Sequence, residues 1–510
     1  MEKGRIKILS DLIPTGNIEQ DKLIIPRIID NTMSEHQKNV SDIVRLKEYY
    51  YNITDIRHKE KVQQSYINHK IPVGYPSVAV TTINAYCFAN PLTFSNRSSG
   101  LEAKVKALND ALDDDSYFQK SHDMYINSAI SGLGYRYIAP ATQKQLDEGI
   151  YFETVCSLSP ETTYCVYANT LKQEKICAIT FQDRKMYDSK FKAKTVKVYT
   201  VFTEWHKWEF YKSAGKWVNS RFVINVPDSE DITYEAFPLP YKKIPIVENV
   251  RKTDRTGDFE LAIDLLNAIN ALASVRVDNV QQNVDYLFCL RDIDIWSEGA
   301  LDAVKEAITS GILGFKSIEG ATVQPEIKTL DIQLNQSEVQ TLQNFLCEKL
   351  EEVLNIPNRE TRSSGGDTGS AVESRNGFRS LENIAGLVTS NALKTENETL
   401  EVILAMCNNI EKCPFKGLKP RDIQIKDNRN RVENMSTATN AYSTMRAAGM
   451  NDEDALLVSR LVPDAQAVAE KNRVEQEKND ERELEKTKRL SQATNNSQNN
   501  NGTNSYNADV

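Results

Sequence analysis

The residues that build metal and redox sites are scarce in this 510-residue sequence, which holds five histidines and eight cysteines. The cysteines stand at Cys87, Cys156, Cys165, Cys177, Cys289, Cys347, Cys407 and Cys413, and no two of them form a CxxC pair. A closed zinc site needs closely spaced sulfur and nitrogen ligands, so the expectation is no metal site and no cofactor. Reduced thiols inside the fold are expected instead, with Cys156, Cys165 and Cys177 as small apolar residues on neighbouring strands. No run approaches the ~18 apolar residues of a membrane helix, so no membrane partner is expected. The opening MEKGRIKILSDLIPTG is too interrupted for a secretory signal and predicts a product made in a cytoplasm. Positive charge is also in deficit. Lys and Arg number 62 against 71 Asp and Glu, a net charge of −9. Tight nucleic-acid binders concentrate Lys and Arg on one face, and this composition excludes that class. An acidic chain can still surround DNA that has to slide past it.

Signatures of catalysis are missing as well. Gly132 and Gly134 in ISGLGYRYIAP lack the further spaced glycine of a phosphate loop and lead into a strand, which marks a turn. SSGGDTGS has no lysine and follows a helix, unlike a Walker A loop. Asp113, Asp114 and Asp115 are consecutive on a helix and point in different directions, so a solvated helix end is expected there. No Ser/His/Asp or Cys/His arrangement can be nominated, and no catalytic residue is expected.

What the sequence does contain is long helical pattern. At 26% charged and 40% hydrophobic it has material for a real core in about two to four domains. The organising stretch runs from Gly257 to about Lys412. A first helix beginning at Asp258 shows a stripe of Leu261, Leu265, Ile269, Leu272 and Val275. Its other face carries Asn267, Asn270, Ser274, Asp278 and Gln281. About 24 helical residues make a rod of roughly 36 Å, long enough for a strut in an assembly. A second helix over Ser337–Leu354 has the stripe Val339, Leu342, Leu346, Leu350 and Val353, with Ser337 as a cap and Pro357 as a stop. A loop without apolar period follows over 358–370. A third helix restarts near Ser370 or Ala371 and runs through Ile384, Leu387, Leu400, Ile403, Leu404 and Ile410.

Around this centre, residues 1 to about 30 lack pattern, and a helix is predicted over Thr32–Tyr51 with Val40, Ile43, Leu46 and Tyr50 on one face. The tyrosines at its end read as core packing. Residues 101–130 predict two helices. From Tyr151 to Ile246 the alternation and the Val, Thr, Tyr and Trp content predict strands, with a turn at Ser213–Lys216. Trp205, His206, Trp208, Phe210 and Tyr211 have few basic neighbours, so a sheet surface or subunit contact is expected rather than base stacking. Between the first two rods, residues 282–334 suggest a small α/β module. Helices are predicted at about 434–448, 451–461 and 464–490, with Asn451 or Asp452 as a cap. The last of these is a mixed-charge solvated helix, and 491–510 is Asn/Ser/Gln-rich and expected to be disordered.

The run PYKKIPIVENVRKTDRTGDFELAIDLLNAINALASVRVDNV, with RSSGGDTGSA downstream, resembles the portal proteins of long-tailed phages of Gram-positive bacteria. The matching pieces are Ile244–Val247, Gly257–Glu260, and Ala262–Asn270 with Ser274; Glu248-Asn249 stands where the family usually has an asparagine pair. KEYYYNI and VAVTTINAYCFANP also resemble family segments. The resemblance covers about residues 45–412 in good order and the C-terminal region more loosely. It implies an α+β portal fold: an N-terminal arm (1–30), an α+β wing (31–256), a first stem helix (257–281) and a small α/β clip (282–334). A second stem helix (335–357), a tunnel loop (358–370), a long wing helix (371–412), a helical crown (413–490) and a tail (491–510) complete it. The tunnel loop would place Asn358, Arg359, Glu360, Thr361, Arg362, Ser363, Ser364, Gly365, Gly366, Asp367 and Thr368 at the DNA channel. The first stem helix would contribute Asp258, Asp264, Asn267, Asn270, Ser274 and Asp278.

The resemblance further implies a homo-oligomeric ring, usually a dodecamer, at one capsid vertex of a virion assembled in the host bacterial cytoplasm. Double-stranded DNA, the terminase large subunit, a head–tail adaptor and the major capsid and scaffolding proteins are the implied partners. Two other classes stand beside this one, another phage head or adaptor protein and an enzyme acting on DNA or nucleotides. Assembly state separates them, because a portal forms rings with a central hole.

Overall fold

The computed structural model describes residues 4–61, 67–97, 100–187, 193–224, 232–284, 288–291, 302, 326–329, 336–357, 378–429, 435–459, 461–462 and 465–500. Its helices are α1 (Ile18–Tyr50), α2 (Tyr75–Phe88), α3 (Glu102–Asp114), α4 (Tyr117–Ser131), α5 (Gln143–Asp147), α6 (Ile263–Val284) and α7 (Gln336–Leu354). They continue with α8 (Phe378–Asn408), α9 (Met435–Ala447), α10 (Asp452–Ser459) and α11 (Ala465–Asn500). The strands are β1 (Leu9–Ser10), β2 (Thr93–Asn96), β3 (Leu133–Pro140), β4 (Phe152–Leu158), β5 (Thr163–Ala168), β6 (Lys175–Tyr187), β7 (Ala193–Phe202) and β8 (His206–Ser213). After them come β9 (Lys216–Asn219), β10 (Phe222–Ile224), β11 (Ile232–Tyr234), β12 (Phe237–Pro238), β13 (Ile246–Val250), β14 (Phe288–Arg291), β15 (Glu326–Thr329) and β16 (Ile423–Lys426). The class is α+β, as the sequence implies.

The chain divides into two compact units, Met1–Ala85 with Lys106–Pro420, and Tyr86–Val105 with Arg421–Val510. In the first unit a seven-stranded sheet has the order β1-β5-β6-β7-β8-β12, with β9 added to β8. Only β1 pairs in parallel within it. Ser213–Lys216 closes the β8–β9 hairpin as expected, with Ala214 and Gly215 both at positive φ. Ile25, Ile28 and Ile29 of α1 pack on this sheet against Tyr164, Val166, Ile179, Val201, Trp208 and Phe210.

The first thirty residues are therefore not an arm. Strand β1 joins the sheet, and α1 starts at Ile18, well before Thr32. Asn17 caps it by accepting from the amides of Glu19 and Gln20. Pro26 lies inside α1 and costs a helix about 3 kcal/mol. The fully buried Ile25, Ile28 and Ile29 around it, each worth about 1.5–3 kcal/mol, outweigh that cost. Trp208 and Phe210 likewise belong to the core, not to a sheet surface. Alternation on β8 sends them inward, where they stack with centroids 5.7 Å apart.

A second sheet of the same unit, β13-β3-β4, packs on α4 and α8. Its Cys156 is thus in a different sheet from Cys165 and Cys177, which lie on the paired strands β5 and β6. All three are buried and free, and burial pushes the Cys177 thiol up to about 12. Gly132 ends α4 at φ +84, and a Cβ there would stand 2.1 Å from the Arg255 carbonyl oxygen. At the end of α3, Asp113 and Asp114 are exposed, whereas Asp115 is turned inward onto the Thr154 amide (3.2 Å) and Lys120 (2.6 Å).

In the second unit β16 pairs antiparallel with β2, so residues 86–105 belong with the C-terminal helices. Asn451 caps α10 through the Asp454 amide (2.7 Å). Helix α11 continues to Asn500, ten residues past the end expected from composition. Of the 282–334 module only the last turn of α6, β14, β15 and Asp302 are described, the two strands forming an antiparallel pair. The loop 358–370 and the proposed helix restart at 370–371 lie outside the described residues; α8 is described from Phe378.

Candidate functional site

The site is built on the antiparallel pair α6 and α7. A 3-10 turn over Glu260–Ala262 precedes α6, and the chain enters it through a buried clamp. Arg251 donates to both oxygens of Asp258 (2.9 and 2.6 Å) and to Asn84 Oδ1 (2.9 Å), while the Asp258 amide donates to the Ala129 carbonyl (2.7 Å). Bidentate geometry and full burial make this pair directional. Its job is to aim the helix.

Helix α6 then shows three different faces. Ala262, Leu266 and Ile269 enter a core with Leu46, Tyr49, Ala79, Val80, Phe259, Leu350 and Leu354. A second face carries Asn267, Asn270, Ser274 and Asp278, the polar side opposite the apolar stripe. The structure buries Asn270, Ser274 and Asp278 almost completely. Asn270 Oδ1 accepts from the Val73 amide (2.8 Å), Ser274 Oγ from the Ile71 amide (2.9 Å), and Asp278 Oδ1 from the His69 amide (2.7 Å). The register has a simple origin. Four residues of helix rise about 6.0 Å and two residues of extended chain about 6.6 Å, so every second amide meets every fourth side chain.

Further bonds complete this ladder. Asn267 accepts from the Tyr49 hydroxyl (2.9 Å) and donates to Asp55 (3.1 Å); Asn270 Nδ2 donates to Thr54 Oγ1 (3.3 Å). Lys59 Nζ donates to Asp278 Oδ2 (2.7 Å), and His69 Nδ1 lies 3.0 Å from Oδ1. Desolvation opposes charge on Asp278, but Lys59 and the His69 amide and ring outweigh it and hold its carboxyl below the usual carboxylate range.

The third face is open. Val275, and Leu261 in the turn before the helix, both expected in the buried stripe, are 42% and 49% exposed. Asp264 is exposed beside a cleft lined by Arg5, Asp42, Arg45 and Glu260. On α7 the same happens: Leu350 and Leu354 are buried, whereas Leu342, Phe345 and Val353 are about half exposed. Ser337 lies inside α7, which begins at Gln336, and so is not its cap. Arg276 donates to Gln343 across the pair.

A second polar cluster pins α8. Arg136 of β3 makes a bidentate pair with Glu396 of α8 (3.0 Å to each oxygen), and both side chains are fully buried. Thr399 (2.9 Å), Ser121 (2.6 Å) and Cys156 (3.3 Å) take the other guanidinium hydrogens, and Tyr125 (2.6 Å) and Tyr117 also donate to Glu396. The only trace of this in the sequence is one arginine inside the apolar strand YRYIA.

Of the residues nominated from the sequence, Asp258, Asn267, Asn270, Ser274 and Asp278 are therefore engaged within the subunit, and Asp264 faces solvent. Asn358 to Thr368 lie outside the described residues. Residues 54–61 and 67–73, which fill the ladder, are signalled in the sequence only by the polar spacing of four on α6. Among the described residues no cluster of His, Cys, Asp or Glu could hold a metal ion, and no helix is long and apolar enough to cross a membrane. The arrangement aims and braces helices.

A family model described as "Phage portal protein, SPP1 Gp6-like" matches residues 29–483. Among solved structures, a chain of the "Neck of native GTA particle computed with C12 symmetry" is similar at 11% identity and a TM-score of 0.39, over 83% of this chain and 94% of that one. No curated protein matches.

Proposed function

The chain belongs to the SPP1 Gp6-like family of phage portal proteins, and from that premise we propose that it is the subunit of a closed ring, a dodecamer, at one capsid vertex. Double-stranded DNA enters through the ring during packaging and leaves through it at infection. The observation that carries this reading is the family match over 29–483, which takes in both α6 and α7 and everything between them. The half-exposed Val275 of α6 and Leu342, Phe345 and Val353 of α7 are in keeping with it, as apolar positions that a neighbouring subunit can cover.

In this reading 31–256 is the wing, α6 and α7 are the stem, 282–334 is the clip, 371–412 is the long wing helix and 413–490 is the crown. The clip docks the terminase large subunit and afterwards the head–tail adaptor, and the outer surface meets the major capsid and scaffolding proteins. The work is mechanical and electrostatic, without catalysis in this chain. A net charge of −9 keeps DNA from adhering as it slides. Arg359 and Arg362 of the loop 358–370 touch phosphates, and Glu360 and Asp367 keep the local field near neutral. Deleting residues 359–369 is expected to leave rings intact and to reduce genome packaging in a terminase-driven assay. Normal filling by that variant would remove the loop from the mechanism.

A further inference from the structure

The ladder on α6 holds a strip of unusual charge. Residues 55–61 and 67–73 are tied together by Lys70 Nζ to the Arg57 carbonyl (2.9 Å), Asn68 Nδ2 to the Lys59 carbonyl (3.2 Å) and Lys61 Nζ to the Ile67 carbonyl (3.1 Å). These two runs carry Arg57, Lys59, Lys61 and Lys70 with His58 and His69, against Asp55 and Glu60. Asp55 is already engaged by Arg45, and the Asp278 beneath the strip by Lys59. Arg57, His58 and Lys70 are exposed. An acidic protein thus gathers positive charge along one flank of α6.

Helix α7 has the opposite character. It contains Glu338, Glu348, Glu351 and Glu352 and a single base, Lys349, which pairs with Glu352 (2.6 Å). Glu338 and Glu348 are exposed, and between them Leu342 and Phe345 are 49% and 52% exposed.

The two features lie on opposite sides of α6. Arg276 reaches α7 and Ser274 reaches the strip, and residues two apart on a helix are separated by about 200°. They also lie at one level. The bond from Arg276 to Gln343 sets the register of two antiparallel helices with equal rise. The ladder positions 270–278 are therefore level with about residues 341–349 of α7, where Leu342, Phe345 and Glu348 stand. Each subunit is a row of basic strip, α6, α7 and acidic face. With the two helices along the ring axis, rotation about it preserves level and brings unlike faces together, the head-to-tail contact that closes a ring.

We propose, on the reading that the subunits form a ring, that the basic strip of each copy docks on the outer face of α7 of the next copy. Arg57 and Lys70 stand against Glu338 and Glu348, around a contact made by Leu342 and Phe345. The charges select the neighbour and its orientation, and the apolar residues supply area. The polar ladder has the role of a bracket that keeps the strip in register with the neighbouring helix.

The test is charge reversal in the full chain, read by mass photometry, with circular dichroism to follow folding. Arg57→Glu with Lys70→Glu is expected to lower the ring fraction at least ~tenfold while the circular dichroism spectrum at room temperature stays that of a folded chain. Adding Glu338→Lys and Glu348→Lys to the same chain is expected to restore rings, and that pair alone to lose them. Rings of wild-type abundance in the first variant would overturn the docking and leave the ring reading standing. Loss of rings that the compensating pair does not restore would also overturn it. A wild-type chain that never forms rings would remove the reading beneath and this inference with it. Should the reversal keep rings but abolish retention of duplex DNA in a gel-shift assay, the strip is a nucleic-acid contact and the docking is wrong.

Discussion

Helices α6 and α8 both carry polar residues into buried positions, and they use them in opposite ways. On α8, Glu396 is fully enclosed with Arg136, and every hydrogen bond it receives comes from another side chain. On α6, Asn270, Ser274 and Asp278 accept from backbone amides of an extended strip whose other side is open to water. A buried ion pair is an expensive device that tolerates one geometry and penalises any other. A ladder of neutral and charge-assisted bonds to backbone divides its strength over several small steps. The difference teaches which parts of the subunit must be rigid and which need only keep register. The helix packed on the β13-β3-β4 sheet is locked, and the strip on α6 is held.

Breaking the lock has the largest expected effect. Glu396→Leu leaves the Arg136 guanidinium buried without its counter-charge and is expected to cost about 3–5 kcal/mol in urea unfolding at pH 7. Adding Arg136→Met to that chain is expected to return most of the loss. A single variant as stable as the parent would show that α8 is not held by this pair.

Acid gives the next effect, in the core between α1 and the seven-stranded sheet. His36 of α1 is buried against Tyr164 (centroids 4.2 Å), with Nε2 2.9 Å from the Glu161 carbonyl. Burial pushes its imidazole down to about 4 from 6.5, against the pull of that carbonyl. The unfolded chain therefore binds the proton first. The stability contributed by neutral His36 is complete above pH 6.5 and is lost as pH falls towards 4, by about 3 kcal/mol in all. A His36→Gln variant should flatten the unfolding free energy between those pH values, and an unchanged slope would contradict the assignment.

The smallest effect is on α6. Ser274→Ala removes one rung and is expected to cost about 1 kcal/mol. Hydrogen exchange should show it locally, with the Ile71 amide losing protection while amides of β5 and β6 keep theirs. Equal loss at both places would mean that the strip and the sheet unfold together, and the contrast drawn above would not hold.

Much of the fold was legible because hydrophobic period reports elements faithfully. The strands between 151 and 246, the two helices within 101–130 and the rods at α6 and α7 follow from spacing and propensity alone. The start of α1 did not, because Pro26 suggests an interruption and three buried isoleucines overrule it. Trp208 and Phe210 were misplaced because alternation tells which residues share a face but not which face is covered. The ladder was missed for the same reason. Asn270, Ser274 and Asp278 form a polar stripe of helical period, and period alone cannot distinguish water from backbone amides 200 residues away as the partner. Leu261, Leu342 and Val353 erred in the other direction, apolar residues in a regular stripe that the single subunit leaves open. In both cases the deciding partner is distant in sequence, and for the open residues we place it on another copy.

Negative-stain microscopy of the purified full chain tests the central claim most directly, with class averages viewed down the symmetry axis. Closed rings with a central channel wide enough for duplex DNA are the result expected of a portal subunit. Only monomers or compact dimers, across a range of salt and protein concentrations, would contradict it.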